Sequence, residues 1–207
     1  MIRKAKIPEP AIARLPMYFK VLNDLKNNGE TIVSSGKIAK LCRVKASQFR
    51  KDMSYFGEFG IQGLGYPVSQ LLNKIADIMR LNIEHNVILV GVGKLGQALA
   101  EYPGFKKWGF NINHLYDSDP SKIGSKINNI VVKDIKDLPL KMNVSMGMIT
   151  VPVSAAQDVA DRLVDTGVKS LLNFASIHLN TPKDVVVRNV DVTLEAAILT
   201  FQLSLIQ

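Results

Sequence analysis

Residues 87–102, Val-Ile-Leu-Val-Gly-Val-Gly-Lys-Leu-Gly-Gln-Ala-Leu-Ala-Glu-Tyr, decide the fold of this 207-residue chain. A short apolar run, Val87–Val90, leads into three glycines with the spacing G-x-G-x-x-G, and helix-forming residues follow at once. Asp117 comes 21 residues after Gly96, at the end of the next apolar run. This order predicts a strand, a tight glycine turn and a helix, with an acidic residue at the end of the neighbouring strand.

Such a unit is typical of Rossmann dinucleotide-binding domains, in which each glycine has a separate task. Gly91 permits the tight turn, Gly93 lets backbone N–H groups approach a pyrophosphate, and Gly96 lets the helix pack closely on the strand. The N-terminus of the helix adds positive potential at the phosphates. The predicted cofactor-binding residues are therefore those of the loop together with the acidic residue: Gly91, Val92, Gly93, Lys94, Leu95, Gly96 and Asp117.

Asp117 is the residue that indicates which dinucleotide binds. Its carboxylate is suited to accept hydrogen bonds from the adenine ribose, and its charge would repel a 2′-phosphate. Residues 117–121 contain no arginine that could accommodate such a phosphate. NAD, as NADH or NAD+, is therefore favoured over NADP(H). A turn without any ligand, or a site for S-adenosylmethionine or coenzyme A, remains the alternative.

From residue 87 onward the pattern alternates between strands and helices, which predicts an α/β domain with a parallel sheet covered on both faces. A helix is expected to run from Ser154 and to stop at Gly167, and an almost uncharged apolar helix closes the chain. The expected domain spans residues 81–192, and residues 193–207 form the terminal helix. The predicted strands are Val87–Val90, Ile112–Tyr116, Ile130–Val132, Met146–Val151, Ser170–Asn173 and Val185–Val190.

Residues 1–80 have the pattern of a winged helix-turn-helix domain. A first helix is expected from Pro16 to Asn28, followed by a short helix capped by Ser34 or Ser35. A third helix should begin near Ala46, after a turn of three or four residues. Four glycines then fall within residues 57–65, which predicts a hairpin with a flexible tip, and a linker helix should run to about residue 81.

The excess positive charge of the chain lies in this first part. Residues 1–80 carry 14 Lys and Arg against 6 Asp and Glu, a net charge of +8, whereas residues 81–207 carry 12 of each. Basic and polar residues crowd the N-terminal half of the third helix, the part of a recognition helix that enters the major groove. A helical domain with a solvated charged face is the alternative. The predicted DNA-binding residues of this helix are Lys45, Ser47, Gln48, Arg50 and Lys51.

Several function classes are disfavoured by what the sequence lacks. Cys42 is the single cysteine, which excludes an internal disulfide and a cysteine-based zinc cluster. No apolar run approaches the roughly 18 residues needed to span a bilayer, and the basic start has no signal-peptide core. We therefore expect a cytoplasmic protein with no metal site and no membrane partner.

Catalysis is also disfavoured. A dehydrogenase needs a general acid or base near the nicotinamide, and of the three histidines only His178 follows a strand end. No catalytic residue is predicted, and the expectation is a protein that is not an enzyme. Two alternatives stay open: a small NAD-dependent oxidoreductase with a basic extension, and a repressor that senses oxidants through Cys42.

Six segments, in order along nearly the whole chain, resemble the Rex family of redox-sensing transcriptional repressors. The segment at residues 47–66 is far more specific than the glycine loop. The matching segments are IPEPAIARLPMYFKVL (7–22), SQFRKDMSYFGEFGIQGLGY (47–66), GVGKLGQALAEYPGF (91–105), YDSDPSKIG (116–124), ITVP (149–152) and LLNFAS (171–176).

The resemblance implies a bacterial homodimer that binds a twofold-symmetric, double-stranded DNA operator and leaves it when NADH replaces NAD+. It implies that residues 193–206 form a domain-swapped helix and that Gln62 and Gly63 of the wing contact DNA. It also implies a state-dependent network formed by Arg14, Tyr102 and Asp191.

Three positions depart from the family pattern. Gln62 replaces an arginine of the wing, which puts its minor-groove contact in doubt, Arg43 replaces a glycine of the turn, and Ser176 replaces a proline. None of the three lies in the glycine loop.

Overall fold

The computed structural model describes residues 7–206, and its chain divides into two compact units between Ile83 and Glu84. The predicted domain boundaries at residues 80/81 and 192/193 lie within this range, whereas residues 1–6 and 207 of the predicted domains lie outside it. The first unit contains α1 (Glu9–Asn27), β1 (Ile32–Val33), α2 (Ser35–Leu41), α3 (Ala46–Ser54), β2 (Tyr66–Pro67) and α4 (Val68–Met79).

The first helix, α1, begins seven residues earlier than the sequence predicted. Pro8 precedes it and Pro10 lies in its first turn, where a missing N–H costs nothing, while Pro16 lies inside the helix. Buried side chains at three- and four-residue spacing form one apolar stripe through both halves of α1. Burial of this stripe offsets the hydrogen bond lost at Pro16. Its members are Ala11, Leu15, Tyr18, Leu22 and Leu25.

The helices α2 and α3 form the predicted helix-turn-helix. Of the two proposed caps, Ser34 is the one used, because its hydroxyl accepts a hydrogen bond from the Lys37 amide at 3.1 Å. Phe49 of α3 is fully buried, and its ring meets those of Tyr18 and Tyr66 edge-on, with centroids 5.1 and 5.3 Å apart. Phe49 therefore fixes α3 to the core of the first unit.

The glycine-rich segment is a tighter structure than the predicted hairpin. Ile61 and Gly65 form a single antiparallel bridge, and Gly63 at the tip has a φ of +77°. The strand that follows, β2, pairs with β1 rather than with the other arm of this hairpin. Gly65 makes the pairing close, since a Cβ there would lie 2.7 Å from the carbonyl oxygen of Val33.

The second unit contains a seven-stranded sheet in the order β5-β6-β4-β3-β7-β8-β9. Six of the strands are parallel, and their order is that of a Rossmann domain. The elements are β3 (His85–Val90), α5 (Lys94–Glu101), α6 (Pro103–Lys107), β4 (Phe110–Asp117), β5 (Lys126–Ile127), β6 (Ile130–Asp134), β7 (Met146–Ile149), α7 (Val153–Asp165), β8 (Ser170–Asn173), β9 (Val186–Asn189) and α8 (Val192–Ser204).

The short edge strand β5 was not predicted, and it makes the sheet mixed rather than wholly parallel. It pairs antiparallel with β6 through a two-residue turn, Asn128-Asn129. Both asparagines have positive φ, 48° and 63°, as a tight hairpin turn requires. The sequence signal for the hairpin was therefore this asparagine pair.

The terminal helix α8 has 13 residues, none of which is buried, and among the described helices it shares this only with the five-residue α6. Eight large apolar side chains between residues 192 and 206 are each more than half exposed. No helix in the described part of the chain is long and apolar enough to cross a membrane.

Arg43 in the turn between α2 and α3 yields a stability prediction. Its φ is +53°, a conformation that costs a residue with a side chain roughly 1–2 kcal/mol. Glycine avoids this cost, but it loses more conformational entropy on folding. That loss cancels about 0.5–1 kcal/mol of the gain. We expect Arg43→Gly to raise the free energy of unfolding of the first unit by about 0.5–1 kcal/mol.

Hydrogen exchange of the α2 and α3 amides in the full chain measures this change. Arg43→Ala is the matched control, because it removes the same side chain and keeps the strained backbone. Equal protection in the glycine and alanine variants would show that backbone strain at residue 43 is not relieved.

Candidate nucleotide-binding cleft and nucleic-acid interface

The glycine loop lies at the carboxyl ends of β3 and β7, where the strand order of the sheet reverses. Gly91 has a φ of +98°, and a Cβ on it would lie 2.7 Å from the Thr150 carbonyl oxygen. A Cβ on Gly96 would overlap the carbonyl oxygen of Gly91. Side chains at these two positions would force the loop away from β7.

Gly93, by contrast, faces open space, since a Cβ there would meet no atom within 4 Å. It immediately precedes α5, whose free N–H groups and dipole favour a negative charge. The adjoining cleft has a volume of about 450 Å³. Its walls include Lys94, Leu95, Asp117 and Thr150. The three glycines thus combine two tight contacts with one open backbone edge, as a phosphate-binding turn requires.

Asp117 is nearly buried at the end of β4, and its carboxylate is hydrogen-bonded to the glycine loop. Its Oδ2 accepts a hydrogen bond from the Val92 amide at 2.6 Å, and its Oδ1 accepts one from the Asp119 amide at 2.9 Å. Burial alone would raise the pKa of Asp117, but these amides and Lys122 together hold it below its usual range. The group is therefore an anion that accepts hydrogen bonds.

Two residues of this cleft were not predicted from the sequence. Lys122 places its Nζ 3.2 Å from Oδ2 of Asp117 and 3.5 Å from Asp119. Thr150 donates its hydroxyl to the carbonyl oxygens of Val90 and Gly91, at 3.0 and 2.7 Å. The available signals were the lysine five positions after Asp117 and a hydroxyl residue at the end of the strand beside the loop.

The predicted DNA-binding residues fall into two groups in the structure. Ser47, Arg50 and Lys51 of α3 and Lys45 just before it are exposed, as are Gln62 and Gly63 in the wing. Arg50 also donates a hydrogen bond to Ser35 at 3.0 Å. The second group is Gln48 alone, which is half-buried and hydrogen-bonded to a buried residue of the same helix.

The residue that holds Gln48 is Asp52, a fully buried carboxylate of the same helix. It accepts hydrogen bonds from Arg14 (Nε at 2.6 Å and Nη2 at 2.8 Å), from the Tyr18 hydroxyl at 2.7 Å and from Gln48 Nε2 at 2.7 Å. Burial opposes ionisation, but these donors lower the pKa of Asp52. The same burial and the adjacent carboxylate raise the pKa of Tyr18.

A groove of about 540 Å³ separates α3 from the wing. Arg50 and Ser54 line one side of it, and Gln62 and Gly63 line the other. Exposed cations on a short helix beside a glycine turn give a surface that can follow a phosphate backbone while side chains reach the bases.

The three residues of the implied network each have partners within their own unit. Arg14 is paired with Asp52, as described above. Tyr102 is 60% exposed and packs edge-on against Phe105, with ring centroids 5.9 Å apart. Asp191 caps α8 by accepting hydrogen bonds from the Thr193 amide and hydroxyl, at 2.9 and 2.6 Å, and these bonds lower its pKa.

Other candidate reactive groups lie elsewhere. Among the described residues, the glycine-loop cleft is lined by no histidine, and His178 is exposed beside Asn180 and Thr181. Cys42 is buried, and burial raises the pKa of its thiol to about 11. Within residues 7–206 no cluster of three metal-ligating side chains occurs.

Two family models match parts of the chain. Residues 6–54 match "Putative DNA-binding protein N-terminus", and residues 82–177 match "CoA binding domain". The first match lies within the first unit, and all but two residues of the second match lie within the second unit.

Relatives match over nearly the full length. The chain is 46% identical to the redox-sensing transcriptional repressor Rex of Carboxydothermus hydrogenoformans, covering 96% of this chain and 97% of that one. It is 45% identical to the protein of the same name from Desulforamulus reducens, covering 99% of each.

Two solved structures also match the chain over nearly its full length. The crystal structure of RSP in complex with beta-NAD+ and operator DNA has a TM-score of 0.90 and 36% identity, covering 97% of this chain and 94% of that one. The crystal structure of RSP in complex with beta-NADH has a TM-score of 0.87 and 34% identity, covering 97% and 95%. This chain belongs to the Rex family of redox-sensing transcriptional repressors.

Proposed function

We propose that this chain binds operator DNA through α3 and the wing, binds NAD+ and NADH at the glycine loop, and leaves the operator when NADH replaces NAD+. The observation that carries the proposal is the union, in one chain, of an exposed basic recognition helix and a dinucleotide turn with an open edge at Gly93. RSP, a Rex-family repressor of similar structure, has been crystallised with both nucleotides and with operator DNA.

On the DNA side, Lys45, Arg50 and Lys51 supply the cations that release counterions from phosphates, and Ser47 adds a hydroxyl donor. Gln62 and Gly63 lie at the tip of the wing, where an arginine is usual at residue 62. A glutamine can donate to base edges but carries no charge. We therefore infer that this wing attracts DNA phosphates less strongly than a wing with arginine at residue 62 would.

On the nucleotide side, the backbone from Gly91 to Gly96 receives the pyrophosphate and Asp117 receives the adenine ribose. The Val92 amide holds the carboxylate in place, while Lys94 and Leu95 line the cleft. The charge of Asp117 disfavours a 2′-phosphate, and Lys122 partly balances that charge. These contacts favour NAD(H) over NADP(H). The crystal structures of RSP with beta-NAD+ and with beta-NADH support NAD(H) rather than coenzyme A, in spite of the matched domain's description.

The exposed helix α8 supports a homodimer. A continuous apolar surface of this kind is rarely left in water by a soluble protein. We infer that a second copy covers residues 193–206 as a domain-swapped helix. Arg14, Tyr102 and Asp191 are the residues we assign to contacts that differ between the NAD+ and NADH states.

A role without catalysis, in the cytoplasm, fits these features best. The relatives are transcriptional repressors, and the cleft has no histidine among its described lining residues to serve as acid or base. An oxidant sensor at Cys42 is disfavoured, because the thiol is buried and stays protonated at neutral pH. An oxidoreductase would instead consume NADH in the presence of a small carbonyl substrate.

The function is tested by titrating an operator duplex with the chain in NAD+, NADH, NADP+ and NADPH separately. We expect NADH to weaken operator binding and NAD+ not to do so. The variant Arg50→Ala/Lys51→Ala should lose about 1–3 kcal/mol of binding free energy for each residue that contacts a base. Operator binding that is the same with and without NADH would overturn the proposal.

The assignment of Asp117 is tested by calorimetry of NADH and NADPH binding. We expect Asp117→Ala to lose about 1.5–3 kcal/mol of NADH binding free energy, the usual range for a hydrogen bond to a charged group. The gap between NADH and NADPH should narrow, because the repulsion of the 2′-phosphate is removed.

Asp119→Asn is the matched control, since Asp119 also pairs with Lys122 but lies outside the cleft lining. The Asp119→Asn variant should keep the preference for NADH over NADPH of the unmodified chain. Equal NADH and NADPH affinities in the unmodified chain would contradict the ribose assignment.

A further inference from the structure

The carboxylate of Asp52 has no remaining capacity for another partner. Its Oδ1 accepts from Arg14 Nη2 and Gln48 Nε2, and its Oδ2 accepts from Arg14 Nε and the Tyr18 hydroxyl. Four donors therefore occupy the roughly four lone-pair sites of an ionised carboxylate. The group is saturated, fully buried and one helical turn beyond Gln48.

An ionised carboxylate can only accept hydrogen bonds, and this fixes the amide of Gln48. The Nε2 atom must point toward Asp52, because the Oε1 atom in its place would set two acceptors against each other. One amide hydrogen is then used. The carbonyl oxygen and the second amide hydrogen remain, on a side chain that is half-exposed at the surface of α3.

We propose that Asp52 is a positioning residue for base readout, which holds Gln48 in the one amide orientation that reads an adenine. The remaining acceptor and donor match the N6 amino group and N7 of adenine in the major groove. A glutamine held in place also loses less side-chain entropy on binding. This inference rests on the proposed binding of DNA through α3.

Arg14 makes this arrangement compatible with DNA. An unpaired carboxylate beneath the recognition surface would repel the phosphates, but the guanidinium of Arg14 forms a two-point ion pair with it. The attraction to phosphates comes from other residues, Lys45, Arg50 and Lys51. Base preference and salt dependence are therefore carried by different side chains and can be measured separately.

The test uses a duplex that the unmodified full-length chain selects from a random-sequence pool. Each adenine in it is replaced singly by purine, which lacks the N6 amino group, or by 7-deazaadenine, which lacks N7. At one adenine per half-site, either replacement should weaken binding about 5- to 150-fold, which corresponds to the roughly 1–3 kcal/mol cost of leaving one polar group of the buried Gln48 contact unpaired. The Gln48→Met variant should bind both modified duplexes with the same affinity as it binds the unmodified duplex.

Asp52→Asn is the decisive variant, because it removes the acceptor-only group and frees the amide of Gln48. We expect the penalty for the modified adenine to fall toward that of Gln48→Met. Tyr18→Phe is the matched control, since it removes one hydrogen bond to Asp52 and leaves the bond to Gln48, and it should keep the full penalty. A full penalty in Asp52→Asn would overturn the inference.

A second measurement does not depend on the folding of any variant. The ¹⁵N order parameter of the Gln48 side-chain amide in the unmodified chain should be close to the value of about 0.85 for rigid backbone. A value below about 0.6 would mean that Asp52 does not hold the amide, and it would overturn the inference. Failure of the unmodified chain to select any duplex would instead overturn the proposed DNA binding itself.

Discussion

The nucleotide-binding half of the structure depends on one steric constraint, the contact between the glycine loop and the end of β7. Gly91 and Gly96 leave no room for a Cβ, and Thr150 ties the loop to its neighbour through two hydrogen bonds. The chain must therefore turn sharply at the point where the strand order reverses. That turn opens the cleft, points the start of α5 into it, and places the Val92 amide on Asp117.

In each unit, one buried carboxylate joins two structural elements. Asp117 joins the loop to the end of β4, and Asp52 joins α3 to α1. Each is paired with a cation and with donors that keep it ionised in spite of burial. Breaking such a pair leaves an uncompensated buried charge, which costs more than the pair itself contributes. The two carboxylates thus fix the geometry of the glycine-loop cleft and of the exposed face of α3.

The sequence was informative wherever function depends on local spacing. The glycine loop, the order of strands and helices and the helix-turn-helix follow from patterns within a few residues. Contacts between distant residues leave no such pattern. The pair Arg14–Asp52 spans 38 positions, and Thr150 reaches Gly91 across 59. The early start of α1 was missed because Pro16 suggested a beginning, and β5 was missed because two residues make a weak strand signal.

NADH and operator DNA are proposed to favour two different states of this one protein, so that each weakens the binding of the other. A ligand shifts such an equilibrium only by its unequal affinity for the two states, and the effect is reciprocal. NADH affinity measured by calorimetry, with and without saturating operator, tests this most directly. Operator should weaken NADH binding by the same factor by which NADH weakens operator binding, about 5- to 150-fold for a typical coupling. An NADH affinity that operator leaves unchanged would contradict the claim.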